Sequence, residues 1–212
     1  MRVADVSMLH EFVRAPMTIG AVAASGRPLT RAAIAPVPAG ADAVVVELGP
    51  GTGAMTGPLT ERLAGRGRQL AIEVNARLAS RLATQHPGVE VVRADAADLG
   101  AVLADRGIAH ADVIVSGLPW AAFGPQHQER LLDAVVDSLS PAGVLTTFAY
   151  VHSRWTPAAR RFQRHLETRF GEVLIGRTVW RNLPPALVYY ARRPATARSD
   201  SGLRKAAGAA QR

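Results

Sequence analysis

The stretch V44-V-V-E-L-G-P-G-T-G53 joins a short apolar run to a loop that contains three glycines. An apolar run of this length is typical of a buried strand, and the residues after the loop have helical character as far as Leu63. Glycines allow the backbone to turn tightly and to approach a ligand closely. A strand that ends in such a loop before a helix predicts an α/β protein whose ligand lies beyond the carboxyl end of the strand.

Outward from this loop, short apolar runs alternate with helical stretches along most of the chain. Such alternation predicts a parallel sheet with helices on both faces. We expect the last two strands to form an antiparallel edge pair, which makes a Rossmann-like sheet of seven strands. Helices are expected at about 28–35, 76–83, 126–139 and 157–170, and after the glycine loop as far as residue 63. Strands are expected at 44–48, 70–72, 89–92, 113–115, 144–148, 173–175 and 186–191.

The chain divides into three zones. Residues 39–194 carry the alternating pattern, and residues 1–38 are expected to form a helical arm. Residues 195–212 contain a single leucine and no aromatic residue, so this tail is expected to be disordered. The first arm helix has an apolar face at helical spacing, formed by Val6, Leu9, Phe12 and Val13.

The amino-acid composition excludes several kinds of binding site and of membrane segment. The 212 residues are 48% hydrophobic and include no cysteine, which excludes disulfides and thiolate metal sites. The six histidines show no ligand spacing, so no metal is expected. We find neither a signal-peptide core nor an apolar run near the ~20 residues of a membrane span. We therefore expect a cytoplasmic protein that is soluble or lies on the inner face of the plasma membrane.

The net charge of +8 comes from arginine, with Lys205 as the only lysine. A basic surface suggests an anionic partner such as anionic lipid, nucleic acid or a phosphorylated substrate. Arginine-rich codon usage explains the same charge, so charge alone leaves the partner open.

Three acidic residues lie at positions in the sequence that suit the same ligand site as the glycine loop. Glu73 ends the second strand, 20 residues after Gly53, where a carboxylate can bind ribose hydroxyls. Asp95 follows the third strand, where it can accept a hydrogen bond from an adenine amine. Glu47 precedes the glycines; its charge would repel a pyrophosphate but suits a cationic sulfonium and an ammonium group.

From about residue 42 to 150 this pattern resembles the class I S-adenosylmethionine-dependent methyltransferases. The resemblance implies that S-adenosylmethionine is the cofactor and that S-adenosylhomocysteine is the product. It also places Glu47 near the methionine portion of the cofactor. The cofactor-binding residues that we predict on this basis are Glu47, Gly49, Gly51, Gly53, Glu73, Asp95 and Ser116.

The fourth strand ends in the corner S116-G-L-P-W120. Together with E47-L-G-P-G-T-G-A-M-T56, it resembles the rRNA adenine dimethyltransferases, whose corner reads Asn-Leu-Pro-Tyr. In those enzymes the asparagine accepts a hydrogen bond from the planar base amine. Gly117 takes its place here, so the corner does not favour methylation of a base.

A second resemblance covers about residues 8–192. The segments F12-V-R-A-P-M-T-I-G-A-V-A-A-S-G-R-P-L29, Ser116–Pro119 and R181-N-L-P-P-A-L-V-Y189 are similar to bacterial phospholipid N-methyltransferases. This similarity implies stepwise methylation of the amine of phosphatidylethanolamine at a membrane surface. An aliphatic amine has no planar lone pair to align, which explains a corner without asparagine.

Aromatic residues around the corner are candidates for handling the amine. Trp120 and Phe123 are expected to wall the pocket and to hold a methylated ammonium by cation–π contact. The amine must lose a proton before transfer, and our first choice of proton acceptor is Tyr150. The alternatives are a water molecule, Tyr189, Tyr190 and His152.

Arginines are candidates for the lipid phosphate and for the membrane. Arg181 beside Asn182 is our first choice for the phosphate, because arginine binds it through paired donors. The helix at 157–170 carries a basic face that consists of Arg160, Arg161 and Arg164. This face either contacts anionic headgroups or is merely solvated. We expect the first arm helix either to lie on the membrane or to cover the cofactor.

Three other functions are left open. A relative on the same scaffold can methylate a soluble small-molecule amine, and this is the strongest alternative. Methylation of rRNA is disfavoured by the missing asparagine, and a binding module without turnover is disfavoured by the intact cofactor loop. The sequence does not indicate an oligomeric state.

Overall fold

The computed structural model of the chain describes residues 26–195. The expected arm helix around residues 6–13 and the expected disordered tail lie outside these residues, apart from Ala195, and remain predictions. Within the described part, helices and strands are numbered below in chain order.

Seven strands form one sheet in the order β3-β2-β1-β4-β5-β7-β6. The first five strands are parallel, and β7 runs antiparallel to both β5 and β6. This order and the antiparallel edge confirm the expected Rossmann-like fold of class I methyltransferases. The strands are β1 Val44–Leu48, β2 Arg68–Ile72, β3 Glu90–Val92, β4 Ala111–Ser116, β5 Leu139–Tyr150, β6 Phe170–Ile175 and β7 Ala186–Pro194.

Five of the six α-helices in the described part match expected helices, and the short α4 was not expected. Six residues are too few for the 3.6-residue period to stand out. No helix within residues 26–195 is long and apolar enough to cross a membrane. The α-helices are α1 Arg27–Ala33, α2 Thr56–Leu63, α3 Ala76–Gln85, α4 Leu99–Ala104, α5 Pro125–Ser138 and α6 Pro157–Arg169. Short 3₁₀ turns lie at Ala96–Asp98, Trp120–Ala122 and Val151–Ser153.

The central strand β1 is buried on both faces of the sheet. Alternate side chains of a strand point to opposite faces: Val46 and Leu48 belong to the larger apolar core with α4, α5 and α6. Val45 belongs to the second core with α1 and α2. A strand covered on both faces needs apolar residues on both of them, and β1 provides these at every position except Glu47.

Helix α1 packs against the face of the sheet that carries the second apolar core. Leu29 and Ala33 are buried against strand residues that include Val45 and Val188. The Tyr190 hydroxyl on β7 donates a hydrogen bond of 2.9 Å to the Ala32 carbonyl. The carboxyl-terminal part of the expected arm is thus joined to the sheet by burial and by hydrogen bonding.

Candidate active site

The carboxyl ends of the parallel strands line up along one edge of the sheet, and two cavities open there. The segment Gly117–Pro119, which follows β4, lines both of them. Because a parallel sheet brings successive strand ends together, residues far apart in the sequence meet at this edge. We call the two spaces the cofactor cavity and the acceptor cavity.

The cofactor cavity has a volume of about 340 Å³. It brings together four of the residues predicted from sequence, Gly49, Gly51, Glu73 and Asp95. Phe123, which we predicted for the substrate, also lines this cavity. The lining residues do not include Glu47, Gly53 or Ser116.

The three glycines of the loop have different surroundings. Gly51 has a φ of +56°, and a Cβ built there would meet no atom within 4 Å, so its backbone faces open cavity. A Cβ on Gly49 would lie 2.8 Å from Leu118 Cδ2, and one on Gly53 would lie 2.8 Å from Leu82 Cδ1. Two glycines therefore let the loop pack against the corner and α3, and the third leaves room for a ligand.

Glu73 is held in place by the loop that it faces. Its Oε2 accepts a hydrogen bond of 3.1 Å from the Gly51 N–H. Its Oε1 accepts one of 2.9 Å from the Asn75 N–H. Asp95 is held in a similar way, since its Oδ1 accepts from the Ala97 N–H at 2.9 Å. Both carboxylates are thus oriented by backbone donors at the edge of the cavity.

Glu47 is a fully buried carboxyl group behind the loop. Its Oε2 accepts a hydrogen bond of 2.7 Å from Thr56 Oγ1, whereas its Oε1 has no hydrogen-bond partner among the described residues. The pKa of Glu47 is raised to about 7, mainly by burial; the Thr56 hydrogen bond opposes the shift, and the charge of Glu73 contributes to it. A buried acidic group with an unused oxygen fits a cationic ligand in the neighbouring cavity.

The acceptor cavity is larger, about 560 Å³, and its lining is mostly apolar. It lies between the corner, the end of β5, the start of α6 and β7. Three residues predicted from sequence, Trp120, Tyr150 and Tyr189, line it together. Arg181 and Asn182 are not among its lining residues.

Trp120 forms a rigid wall of this cavity. Its indole Nε1–H donates a hydrogen bond of 3.1 Å to Ser116 Oγ, and its ring stacks on Phe162 with centroids 4.7 Å apart. Phe123 meets the Trp120 ring edge-on at 6.1 Å. Ser116 is therefore a fixed support for the corner.

A buried polar chain behind the corner was not predicted from the sequence. The fully buried Gln128 donates from Nε2 to the Trp120 carbonyl at 2.7 Å. Arg161 donates from Nε to Gln128 Oε1 at 3.2 Å and from NH2 to the Phe123 carbonyl at 3.2 Å. The only sequence signal is that Gln128 falls on the apolar stripe of α5, three, four and seven residues before Leu131, Leu132 and Val135.

Arg161 is more buried than the other two arginines of the expected basic face. Arg160 and Arg164 are exposed, whereas Arg161 is half-buried. It also lines the acceptor cavity. It is therefore a guanidinium group held at a fixed position in a largely apolar wall.

The tyrosines differ in their surroundings. The Tyr150 ring stacks on His152 with centroids 5.8 Å apart. Burial raises the pKa of Tyr189, and the neighbouring Arg154 offsets part of this rise. Burial also raises the pKa of Tyr190, whose hydroxyl is bonded to α1. Tyr150 and His152 thus lie side by side in the cavity, and Tyr190 has a structural contact.

Arg181 and Asn182 lie in the loop between β6 and β7. Arg181 is exposed. Asn182 is buried; its Oδ1 accepts from the Gly26 N–H at 2.9 Å, and its Nδ2 donates to the Pro184 carbonyl at 2.7 Å. The amide of Asn182 therefore connects this loop to the beginning of α1.

Comparison with known proteins gives one relative that matches nearly the whole chain. An ornithine lipid N-methyltransferase of Singulisphaera acidiphila is 34% identical over 190 residues, which are 87% of this chain and 93% of the relative. A ribosomal RNA small subunit methyltransferase A of Variovorax paradoxus is 44% identical over 93 residues, but these are 43% of this chain and 33% of that protein. No protein-family model matches the chain.

Solved structures share the fold. A TehB-like SAM-dependent methyltransferase from Corynebacterium glutamicum aligns over 91% of this chain and all of its own, with a TM-score of 0.58 and 16% identity. A SAM-dependent O-methyltransferase from Thermotoga maritima aligns over 85% of this chain and 71% of its own, with a TM-score of 0.59 and 13% identity. At these identities the two structures support the assignment of the fold and nothing more specific.

Proposed function

Because the chain belongs to the lipid N-methyltransferases, a family of S-adenosylmethionine-dependent class I enzymes, we propose that it methylates the amine of phosphatidylethanolamine or its partly methylated forms at a membrane surface. The observation that carries this proposal is the acceptor cavity. It is large and mostly apolar, and it shares the corner residues Gly117–Pro119 with the cofactor cavity. A lipid headgroup with part of its apolar body fits such a space better than a small soluble amine.

The residues of the cofactor cavity suit S-adenosylmethionine, which supplies an electrophilic methyl group when bound. We propose that Glu73 binds the ribose hydroxyls and Asp95 the adenine amine. The open backbone at Gly51 leaves room for the ligand. The acidic Glu47 behind the loop favours a positively charged ligand over a pyrophosphate.

The corner suits an aliphatic amine rather than a planar one. A Cβ on Gly117 would lie 2.7 Å from the Gly49 carbonyl oxygen, closer than real Cβ contacts allow. An asparagine at position 117 therefore requires the backbone to shift. Without it, the cavity walls must position the amine in line with the methyl group, and such positioning supplies much of the rate.

The acceptor amine has to lose its proton before it attacks. We propose that the Tyr150 hydroxyl oxygen accepts this proton while its own hydroxyl proton passes to water, with the His152 ring stacked beside it. Tyr189 is a weaker candidate, because its raised pKa keeps the hydroxyl protonated near neutral pH. Its hydroxyl is better suited to donating a hydrogen bond that orients the headgroup.

Arg161 is the residue that we now propose for the acidic group of the lipid, alongside the sequence-based choice of Arg181 and Asn182. Its guanidinium lines the cavity and is fixed by Gln128 and Phe123. A cation in an apolar wall binds a phosphate or a carboxylate strongly, because little water competes there.

Ornithine lipid is a second candidate acceptor, favoured by the 34% identical relative. An ornithine headgroup also combines an aliphatic amine with an acidic group, in this case a carboxylate. Both acceptors therefore suit the same cavity and the same arginine. The choice between them depends on the distance from amine to acid, which differs between the two headgroups.

The test is methyl transfer from labelled S-adenosylmethionine to acceptors offered in parallel. The acceptors are vesicles containing phosphatidylethanolamine, vesicles containing ornithine lipid, free ethanolamine, free ornithine and total rRNA. We expect label in a lipid fraction that disappears in Glu73→Ala. Label confined to the free amines, or found in rRNA, would refute the proposal.

A further inference from the structure

The most exposed large apolar side chains of the described residues are Trp155, Trp180 and Leu183, which are 69%, 74% and 83% exposed. Leu174 and Ile175 at the end of β6 are exposed to a smaller extent. Tryptophan is usually well buried in soluble proteins, and clustered exposed apolar groups mark interaction surfaces. These three side chains are therefore candidates for contact with a partner.

All three residues lie at the edge of the sheet where the cavities open. Trp155 follows β5, and Trp180 and Leu183 lie in the loop between β6 and β7. The two loops are joined, because the Val151 N–H donates a hydrogen bond of 2.9 Å to the Pro185 carbonyl. We call this pair of loops, residues 151–157 and 176–185, the rim.

The first loop of the rim lines the acceptor cavity. Ser153 and Thr156, on either side of Trp155, both line the cavity. Tyr189, which follows the second rim loop on β7, lines it as well. A partner that contacts the rim therefore faces the entrance for the acceptor.

The charge of this region is of one sign. No Asp or Glu occurs at 151–166 or at 173–195. The rim carries Arg154, Arg177 and Arg181, of which the last two are exposed. Tryptophan combined with arginine is the composition that settles at the headgroup level of a bilayer, where the ring is partly apolar and the cation meets anionic lipid.

The second rim loop is also held against the beginning of the described residues. The Gly26 N–H donates a hydrogen bond of 2.9 Å to Asn182, the neighbour of Leu183. This loop is therefore fixed in place next to the start of α1.

We infer that the rim formed by Trp155, Trp180 and Leu183 docks on an anionic bilayer and holds the mouth of the acceptor cavity against the lipid surface. The inference rests on the proposed function, since it specifies how a lipid acceptor reaches the cavity. The acceptor amine and its acidic group then move from the headgroup layer into the cavity without leaving the bilayer surface.

The experiment compares the wild-type protein with Trp155→Ser/Trp180→Ser in two substrate forms. Vesicles of phosphatidylethanolamine and phosphatidylglycerol, with ornithine lipid in a second series, report on docking. Short-chain forms of the same aminolipids, kept below their micelle concentration, report on the site alone. The matched control is Arg77→Ser/Arg81→Ser, which removes two exposed side chains from α3, away from the rim.

We expect the double tryptophan variant to sediment with vesicles about 100-fold more weakly, roughly tenfold for each ring removed from the interface. Its turnover on vesicles falls in parallel, while its rate on short-chain lipid and its affinity for S-adenosylhomocysteine are unchanged. Bromine-labelled acyl chains should quench the tryptophan fluorescence of the wild-type protein. The control should bind vesicles as the wild type does, apart from a small loss of charge attraction.

The outcomes separate the two proposals. Unchanged vesicle binding and turnover in the double tryptophan variant would overturn the inference and leave lipid methylation in place. Absence of turnover on every lipid form in the wild type would refute the proposed function. Loss of the short-chain rate in the variant would also overturn the inference, because the rings would then belong to the site itself.

Discussion

The two cavities at the edge of the sheet are built in different ways. One side of the cofactor cavity is formed by the glycine loop and by residues at the ends of β2 and β3, all within residues 49–96, and the other side by the corner and α5. The acceptor cavity is formed by segments as distant as 117–122, 148–162 and 189. The groups that we assign to the cofactor thus come from consecutive strand ends, whereas the acceptor site depends on long-range packing throughout.

The corner belongs to both cavities and couples them. Gly117 packs against the Gly49 carbonyl on the cofactor side, and Leu118 fills the space above Gly49. Trp120, three residues after Gly117, forms a wall of the acceptor cavity and is anchored on Ser116 and Gln128. A change at the corner should therefore affect both cavities, whereas changes elsewhere should affect one.

The largest effect is expected from Gly117→Asn, which restores the asparagine of the base methyltransferases. The new Cβ must displace the backbone at Gly49, 2.7 Å away. Such overpacking costs about 1–3 kcal/mol of unfolding free energy, and a displaced loop lowers methyl transfer by about 100-fold. Thermal unfolding and initial rates measure the two effects.

The matched control for the corner is Gly124→Asn. A Cβ at Gly124 meets no atom within 4 Å, and the backbone there is extended ahead of α5. Asparagine is also favoured at this capping position, so the control should retain stability and rate. Equal behaviour of the two variants would contradict the tight packing at the corner.

An intermediate effect, confined to the acceptor side, is expected from Arg161→Met. Losing a charge-assisted hydrogen bond to the lipid acid should raise the KM for the aminolipid roughly 10- to 100-fold. The affinity for S-adenosylhomocysteine, measured by calorimetry, should stay within about twofold. Arg160→Met, on the exposed neighbour, is the control and should leave the KM unchanged.

A long-chain primary amine that has no acidic group separates this role from a structural one. If Arg161 binds the acid of the lipid, Arg161→Met should methylate this amine about as fast as the wild type does. An equal loss on both acceptors would assign Arg161 to supporting the corner instead.

The last prediction concerns the pH dependence of stability rather than the rate of methyl transfer, and its variant is Glu47→Gln. The folded protein keeps the Glu47 proton up to about pH 7, whereas the unfolded chain releases it near the ordinary value of 4.5. Between these values the folded state binds more protons, so stability falls as the pH rises and levels off above about 7. The loss is on the order of 3 kcal/mol.

Because glutamine has no proton to lose, Glu47→Gln should gain stability relative to the wild type between pH 5 and pH 8. Urea unfolding at several pH values provides the measurement, with Glu61→Gln on the exposed surface of α2 as the control. Parallel curves for the wild type and Glu47→Gln would show that Glu47 does not titrate in this range.

Much of the cofactor side was predictable from the sequence, because its determinants are local. The apolar run at 44–48 and the glycines after it specify a strand, a turn and a helix within 20 residues. The spacing to Glu73 and Asp95 then follows from parallel strands, whose carboxyl ends must share one edge. The chain alone therefore predicted the sheet, its antiparallel edge and four residues that line the cofactor cavity.

The acceptor side was decided by the tertiary structure. Sequence periodicity put Arg161 on a basic face with Arg160 and Arg164, but the rotation of α6 against α5 directs it to Gln128 and the cavity. Likewise, only the pairing of β5 with β7 brings Trp155 and Trp180 to one rim. The physical reason is that a local pattern fixes the face of one element, whereas a shared wall depends on how several elements pack together.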